Sequence, residues 1–267
     1  MSGSAMTESS GTGILYSTMV DRLSSISDVF DVAGFHPDGT IPLYRGQDVD
    51  EPLLPGVARL AKRLSLSDPE VTEKDLLSTF KSMSMPFLTA NVPTTDWEWM
   101  ALARHHGLST RLLDWTSNAF FALWFAVFPH PDETDRTRVL WVLELSSSDL
   151  QLPHPDTSVF TLGRTFAFQP PHISRKIAAQ SAWFTIHKYV QKKAKFIALE
   201  ANVNFGPRLR KYYIHRDALP TIRAQLKLLG INQFSLFPDL DHLANHLEED
   251  LVAKTLGYRP DRPSGAP

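Results

Sequence analysis

The chain contains no cysteine. That absence removes disulfides, thiolate nucleophiles and cysteine-ligated zinc together, and it suits a reducing, cytoplasmic setting. Charge of one sign is also lacking: 27 Lys and Arg stand against 29 Asp and Glu, a formal net charge of −2. No global basic field draws the protein to nucleic acid or acidic lipid. Apolar runs are short. AFFALWFAVF, 119–128, has about half the ~20 residues that span a bilayer, so a buried helix is expected and no membrane partner. A Walker loop, a GxGxxG fingerprint and a GxSxG elbow are missing, which sets aside the most easily read nucleotide and hydrolase motifs.

What is present is ample apolar material, 43% of 267 residues, enough for a sizeable core. Residues 1–13 are small and polar, without the apolar run of a signal peptide, and residues 257–267 are Pro-rich; both ends are expected to be disordered. One domain over 14–256 is expected between them. STMVDRLSSISDVF, 17–30, has helical spacing, and TIPLYRGQ, 40–47, alternates as a strand does. Asp68 and Pro69 open a second helix, and Thr95 with Glu98 opens a third in capping-box spacing that stops at Gly107. Thr116 or Ser117 is the expected cap of the helix through AFFALWFAVF. TRVLWVLEL, SAWFTIH, AKFIALEA and RKYYIH then read as strands, and two helices close the chain, from about Asp217 to Gly230 and from Pro238 to Lys254. Helices first and strands later predict an α+β fold: a single domain with a mainly antiparallel sheet packed with helices.

Polar groups concentrate in ARHHGLSTRLLDWTSN, 103–118. His105 and His106 fall in the last turn of a helix, where either can serve as an acid, a base or a hydrogen-bonder near neutral pH. Thr110, Arg111 and Asp114 follow in the expected connection; an Arg111–Asp114 ion pair that fixes this loop is the structural alternative. In LYRGQ, Arg45 offers a planar charged fork for phosphate or carboxylate, beside a glycine that lets a ligand approach the backbone. Gln180 can orient a ligand but cannot act as a base. His242 and His246 sit four apart with Glu249 or Asp250 near, a spacing zinc can use. Leu243 stands where a metalloprotease has its glutamate, so a solvated helix face is expected and no metal.

LYRGQ, ALARHHGLSTRLLDWTSNAFFALWFA, RKIAAQSAWFTIH and LKLLGINQFSLFPDLDHLANHL, in this order and spacing, resemble the FRG domain, a bacterial and phage family named for its Phe/Tyr-Arg-Gly motif. The resemblance covers about 20–256. Arg104, Ala182 and His242 depart from the Gln, Gly and Gly common at these places. More weakly, the aromatic-Arg-Gly at a strand end resembles the arginine motif of ADP-ribosyltransferases, where it holds the phosphate and ribose region of NAD. The Leu-Ser-Thr before Arg111 is similar to their Ser-Thr-Ser element.

This second resemblance implies a split, largely antiparallel sheet, NAD as cofactor, a possible protein target, and an NAD-dependent transferase or NAD-cleaving enzyme in a toxin or phage-defence setting. Tyr44, Arg45, Gly46, Gln47, His105, Thr110 and Arg111 become the expected ligand-binding residues, and His106, Asp114 and Gln180 the catalytic ones. Arg111, Asp114 and Trp115 are expected to double as scaffold, while His106 and Thr110 face the ligand beside Arg45. The late catalytic glutamate of those enzymes has no obvious counterpart, and an amide at Gln180 does not stabilise an oxocarbenium-like centre as a carboxylate does. Two alternatives stand beside the enzyme: a module that senses a nucleotide or phage component without turnover, and a purely structural domain.

Overall fold

The computed structural model describes residues 22–34, 36–88, 92–128, 136–171 and 175–255. Its strands are β1 Arg22–Leu23, β2 Ile41–Gln47, β3 Leu112–Thr116, β4 Arg138–Leu145, β5 Phe166–Phe168, β6 Ala182–Ile186, β7 Tyr189–Val190, β8 Lys195–Phe196 and β9 Leu209–Ile214. The helices are α1 Ile26–Gly34, α2 Gly56–Leu64, α3 Pro69–Ser84, α4 Asp96–His105, α5 Ala119–Val127, α6 Arg175–Ala179, α7 Leu219–Leu228, α8 Gln233–Leu236 and α9 Leu240–Thr255. Seven strands form one sheet in the order β1-β9-β4-β2-β3-β6-β5; β7 and β8 make a separate hairpin. Every pairing in the large sheet is antiparallel except β1 with β9. The fold is thus the α+β arrangement expected, a large, mostly antiparallel sheet packed with helices.

Pairing is uneven across the sheet. β2 runs against β4 over its full length, Ile41↔Leu145 to Gln47↔Val139, and β3 against β6 likewise, Leu112↔Ile186 to Thr116↔Ala182. Between β2 and β3 the register is a single pair, Tyr44↔Thr116. The two halves of the sheet meet at a seam.

Directly opposed residues share a face, so Tyr44, Gly46, Asp114, Thr116, Phe184 and Ala182 share one. Over β4, β2 and β9 that face is covered by α1, α5 and α7, whose Val29, Leu123, Val127 and Ile222 pack on Tyr44, Val142 and Tyr212. Over β3, β6 and β5 it is covered by α3 and α4, whose Leu77, Trp97 and Met100 pack with Leu112, Phe168 and Phe184. The opposite face packs Leu43, Trp115, Trp141 and Leu143 against Leu53, Leu199 and Phe205.

Local chemistry accounts for the helix ends. The Asp68 side chain accepts from the N–H groups of Glu70 and Val71, and Thr95 and Glu98 form the expected capping box. Gly107 follows α4 with φ +89°, in the left-handed region that glycine tolerates best. Four expectations are corrected. The helix expected over 17–30 begins only at Ile26, because the Asp28 carboxylate takes the N–H groups of Ser24 and Ser25 and fixes a helix start there; residues 17–21 lie outside the described residues. Helix α5 is capped by Asn118, which accepts from Phe120 and Phe121, while Thr116 ends a strand. The stretch 112–116, expected as a connection, is β3. AKFIALEA contributes only β8, since the chain turns at Leu199, whose N–H donates to Leu53 O, into a short 3-10 turn.

Candidate functional site

Gly46 determines how the site is built. A Cβ at this position would lie 1.8 Å from the Ala122 carbonyl oxygen and 2.7 Å from the Ala126 nitrogen. The glycine is therefore required by the close seating of α5 on β2. Gly46, expected to let a ligand approach the backbone, also lines the cavity described below.

Arg45 follows the seam. Its Nη1 donates to the Asp114 carbonyl at 2.8 Å and lies 3.6 Å from Asp114 Oδ2, so one side chain ties β2 to β3 where backbone pairing has stopped. Asp114 is held more tightly from α4: Arg104 Nε lies 2.9 and 3.1 Å from its two oxygens, and Arg104 Nη2 2.6 Å from Oδ2. Burial opposes the charge of Asp114, but the Arg104 guanidinium outweighs it, and the carboxyl is held down at about 2. The Arg45 guanidinium is pushed down to about 10 by burial, with Asp114 acting against the shift and Arg104 and Arg59 adding to it. Arg59 on α2 is lowered in the same direction by burial and by Arg104. Three arginines thus share the field of Asp114, with Glu51 acting on Arg59 as well, and Arg45 Nε is buried without a hydrogen-bond partner. Such an excess of half-buried positive charge favours an anion.

A cavity of about 350 Å³ opens at this cluster, within the range of small-ligand pockets. Arg45, Arg104, Asp114, His105, Thr116 and Gln180 line it together with the rings of Tyr44, Phe125, Phe184 and Phe237. The Gln180 amide nitrogen donates to Leu236 O at 3.1 Å, and the Thr116 hydroxyl donates to Gln180 O at 2.7 Å. The site is assembled from both halves of the sheet and from α4 and α5.

Of the residues singled out in the sequence, Tyr44, Arg45, Gly46, His105, Asp114 and Gln180 converge on this cavity. Gln47, His106, Thr110 and Arg111 are not among its lining residues. Gln47 Oε1 accepts from Trp141 Nε1 at 2.7 Å. His106 is the exposed C-cap of α4. Thr110 is fully buried, its hydroxyl oxygen accepting from Leu112 N–H and its carbonyl from Val57 N–H, so it pins α2 to the start of β3. The expected Arg111–Asp114 pair does not form. Arg111 is 1% exposed and bonds Glu73 Oε2 at 2.8 Å and Glu70 Oε1 at 3.0 Å, both on α3, with its guanidinium over Phe160. Three residues apart on an extended chain, Arg111 and Asp114 point to opposite faces, which keeps them from pairing. Burial raises the Glu73 carboxyl despite Arg111.

A second buried polar chain backs the cavity: Trp115 Nε1 donates to the Thr185 hydroxyl at 3.1 Å, which lies 3.2 Å from His187 Nε2. Burial pushes His187 down to about 4, and Arg45 and Arg111 push it the same way. Residues that sequence reasoning passed over are Arg104, Arg59, Phe125 and Phe237. Arg104 carried a usable signal, a cation directly before the histidine pair; the two phenylalanines looked like core. No group of three or more His, Asp or Glu able to hold a metal occurs among the described residues, and no helix among them is long and apolar enough to cross a membrane. His242 instead stacks on Phe237 and bonds Asp239, and His246 stacks on Phe234.

Residues 41–135, which include β2, α4, β3 and α5, match the FRG domain family. No curated protein and no solved structure matches the chain.

Proposed function

We propose that this FRG domain binds a phosphate-bearing nucleotide of the NAD class in the seam cavity and acts on it, as an NAD-dependent ADP-ribosyltransferase-like or NAD-cleaving enzyme in a toxin or phage-defence setting. The observation that carries this reading is the charge imbalance at a half-aromatic cavity: three arginines stand against Asp114 and Glu51, and Arg45 Nε is unsatisfied. A phosphate against Arg45 and Arg104 supplies the missing anion. The rings of Phe125, Phe184 and Phe237 offer a surface for a planar base or nicotinamide. Asp114 stays ionised at any physiological pH, and an ionised carboxylate stabilises the positive charge that develops at the ribose carbon as the bond to nicotinamide breaks. Water or an acceptor nucleophile then takes the ribosyl carbon, nicotinamide leaves, and the nucleophile's proton is released. In this reading His105 takes that proton and Gln180 orients the ribose; both residues line the cavity.

Binding without turnover is favoured by one specific observation. Both oxygens of Asp114 are already engaged by Arg104, which spends much of the carboxylate's charge. Titration with NAD and with ADP-ribose, followed by thermal shift, together with assay of nicotinamide release, separates the readings. Binding with release supports the enzyme, and binding without release supports the sensing module. Binding of neither ligand rejects both.

A further inference from the structure

Helix α9 is attached differently from the rest of the fold. No side chain described on it is buried, whereas α4 and α5 each bury six residues. It is held by ring stacking of His242 on Phe237, 5.3 Å between centroids, and of His246 on Phe234, 5.9 Å. At 3.6 residues per turn, Leu240, Leu247 and Leu251 fall within about 40° of one another, on the side opposite the two histidines. These leucines are 81%, 59% and 64% exposed. The helix is thus fastened by one face and presents a leucine stripe on the other. Such a stripe costs solubility unless something covers it.

The flanks of the stripe are acidic. Asp241 and Glu248 border one side and Asp250 the other, all exposed; the one lysine, Lys254, lies at the end of the stripe, 3.6 Å from Asp250. A second copy of α9 laid on this stripe would oppose acid to acid, and an anionic membrane would be repelled as well. We infer that α9 is a docking helix for a protein partner that presents an amphipathic helix, with an apolar stripe bordered by lysine or arginine. Its position gives the docking a use. Phe237, on which His242 stacks, lines the seam cavity, so a partner seated on α9 is linked to the cavity through the helix and that stack. With about a helix length of contact, the association is of the transient kind.

The test uses the full chain and two synthetic three-heptad peptides with leucine at the core positions, one bordered by lysine and one by glutamate, read by fluorescence anisotropy at physiological salt. The lysine peptide binds and the glutamate peptide does not. A variant carrying Leu247→Glu and Leu251→Glu, at exposed positions that leave the fold intact, binds the lysine peptide at least tenfold more weakly. That direction is decisive, because added negative charge strengthens any purely electrostatic attraction. Equal or tighter binding by the variant overturns the inference, as does failure of the wild type to bind. A wild-type dimer by light scattering that the same substitutions make monomeric assigns the stripe to a second copy and also overturns it. None of these readouts depends on NAD.

Discussion

Two arginine–carboxylate clusters flank the start of β3, and their charges are balanced differently. Around Arg111, a buried guanidinium meets two buried carboxylates, Glu70 and Glu73, and Glu70 is also met by Lys74 at 3.7 Å and by Gln191. Around Asp114, one carboxylate meets Arg45 and Arg104, with Arg59 in the same field, and a cavity opens beside them. The first cluster is closed and joins α3 to the sheet. In the second, charge is left over on the side where space remains. Polarity and proximity alone do not separate scaffold from site, since both clusters lie in the same polar stretch; the sign of the uncompensated charge and the presence of a cavity do.

The sharpest way to break the contrast is Arg111→Ala, which leaves Glu73 buried without its cation and Glu70 with Lys74 alone. A loss of about 3–5 kcal/mol in urea unfolding is expected, enough to unfold a marginal domain. If the variant stays within about 1 kcal/mol of wild type, the closed cluster is not scaffold. Next is the acid limb of stability. His187 has its folded-state pKa depressed to about 4, so its contribution is present above pH ~6.5 and is lost as pH falls toward 4, amounting to about 3 kcal/mol. His187→Gln should flatten that limb in melts recorded between pH 7 and 4. Asp114 is also depressed, but its loss comes lower, as pH falls from its ordinary value toward about 2, so the two limbs can be told apart.

Gly46→Ala should cost about 2–3 kcal/mol, because the new methyl meets the α5 backbone rather than a flexible side chain. Thermal unfolding reads this directly, and an unchanged midpoint would contradict the close seating of α5. Smallest in stability is Arg45→Ala, expected to change unfolding by no more than about 1 kcal/mol while removing the ligand-induced thermal shift. A variant that unfolds and never binds would move Arg45 into the scaffold class with Arg111.

Much of the fold was readable where the signal is local. Asp68, the Thr95–Glu98 box, the alternation through Arg45 and the apolar run of α5 all act within a few residues of themselves. The exchange of partners at Arg111 and Asp114 was not readable, because Glu70 and Glu73 lie about forty residues away and only the placement of α3 brings them in. Once 112–116 is a strand, side chains along it alternate, and a pair expected across a loop cannot form. Arg59 was hidden for the same reason, since its relevance comes from α2 lying against the start of β3. Phe125 and Phe237 were hidden by their chemistry, as nothing in an apolar residue distinguishes a cavity wall from a core.

The single register pair between β2 and β3 has a mechanical consequence. A sheet stitched at one point can flex there like a book at its spine, with β1-β9-β4-β2 as one cover and β3-β6-β5 as the other. Whatever anion bridges Arg45 on one cover and Arg104, packed on the other, acts as a clasp, so occupancy should slow amide hydrogen exchange along both facing strands at once, far beyond the residues it touches.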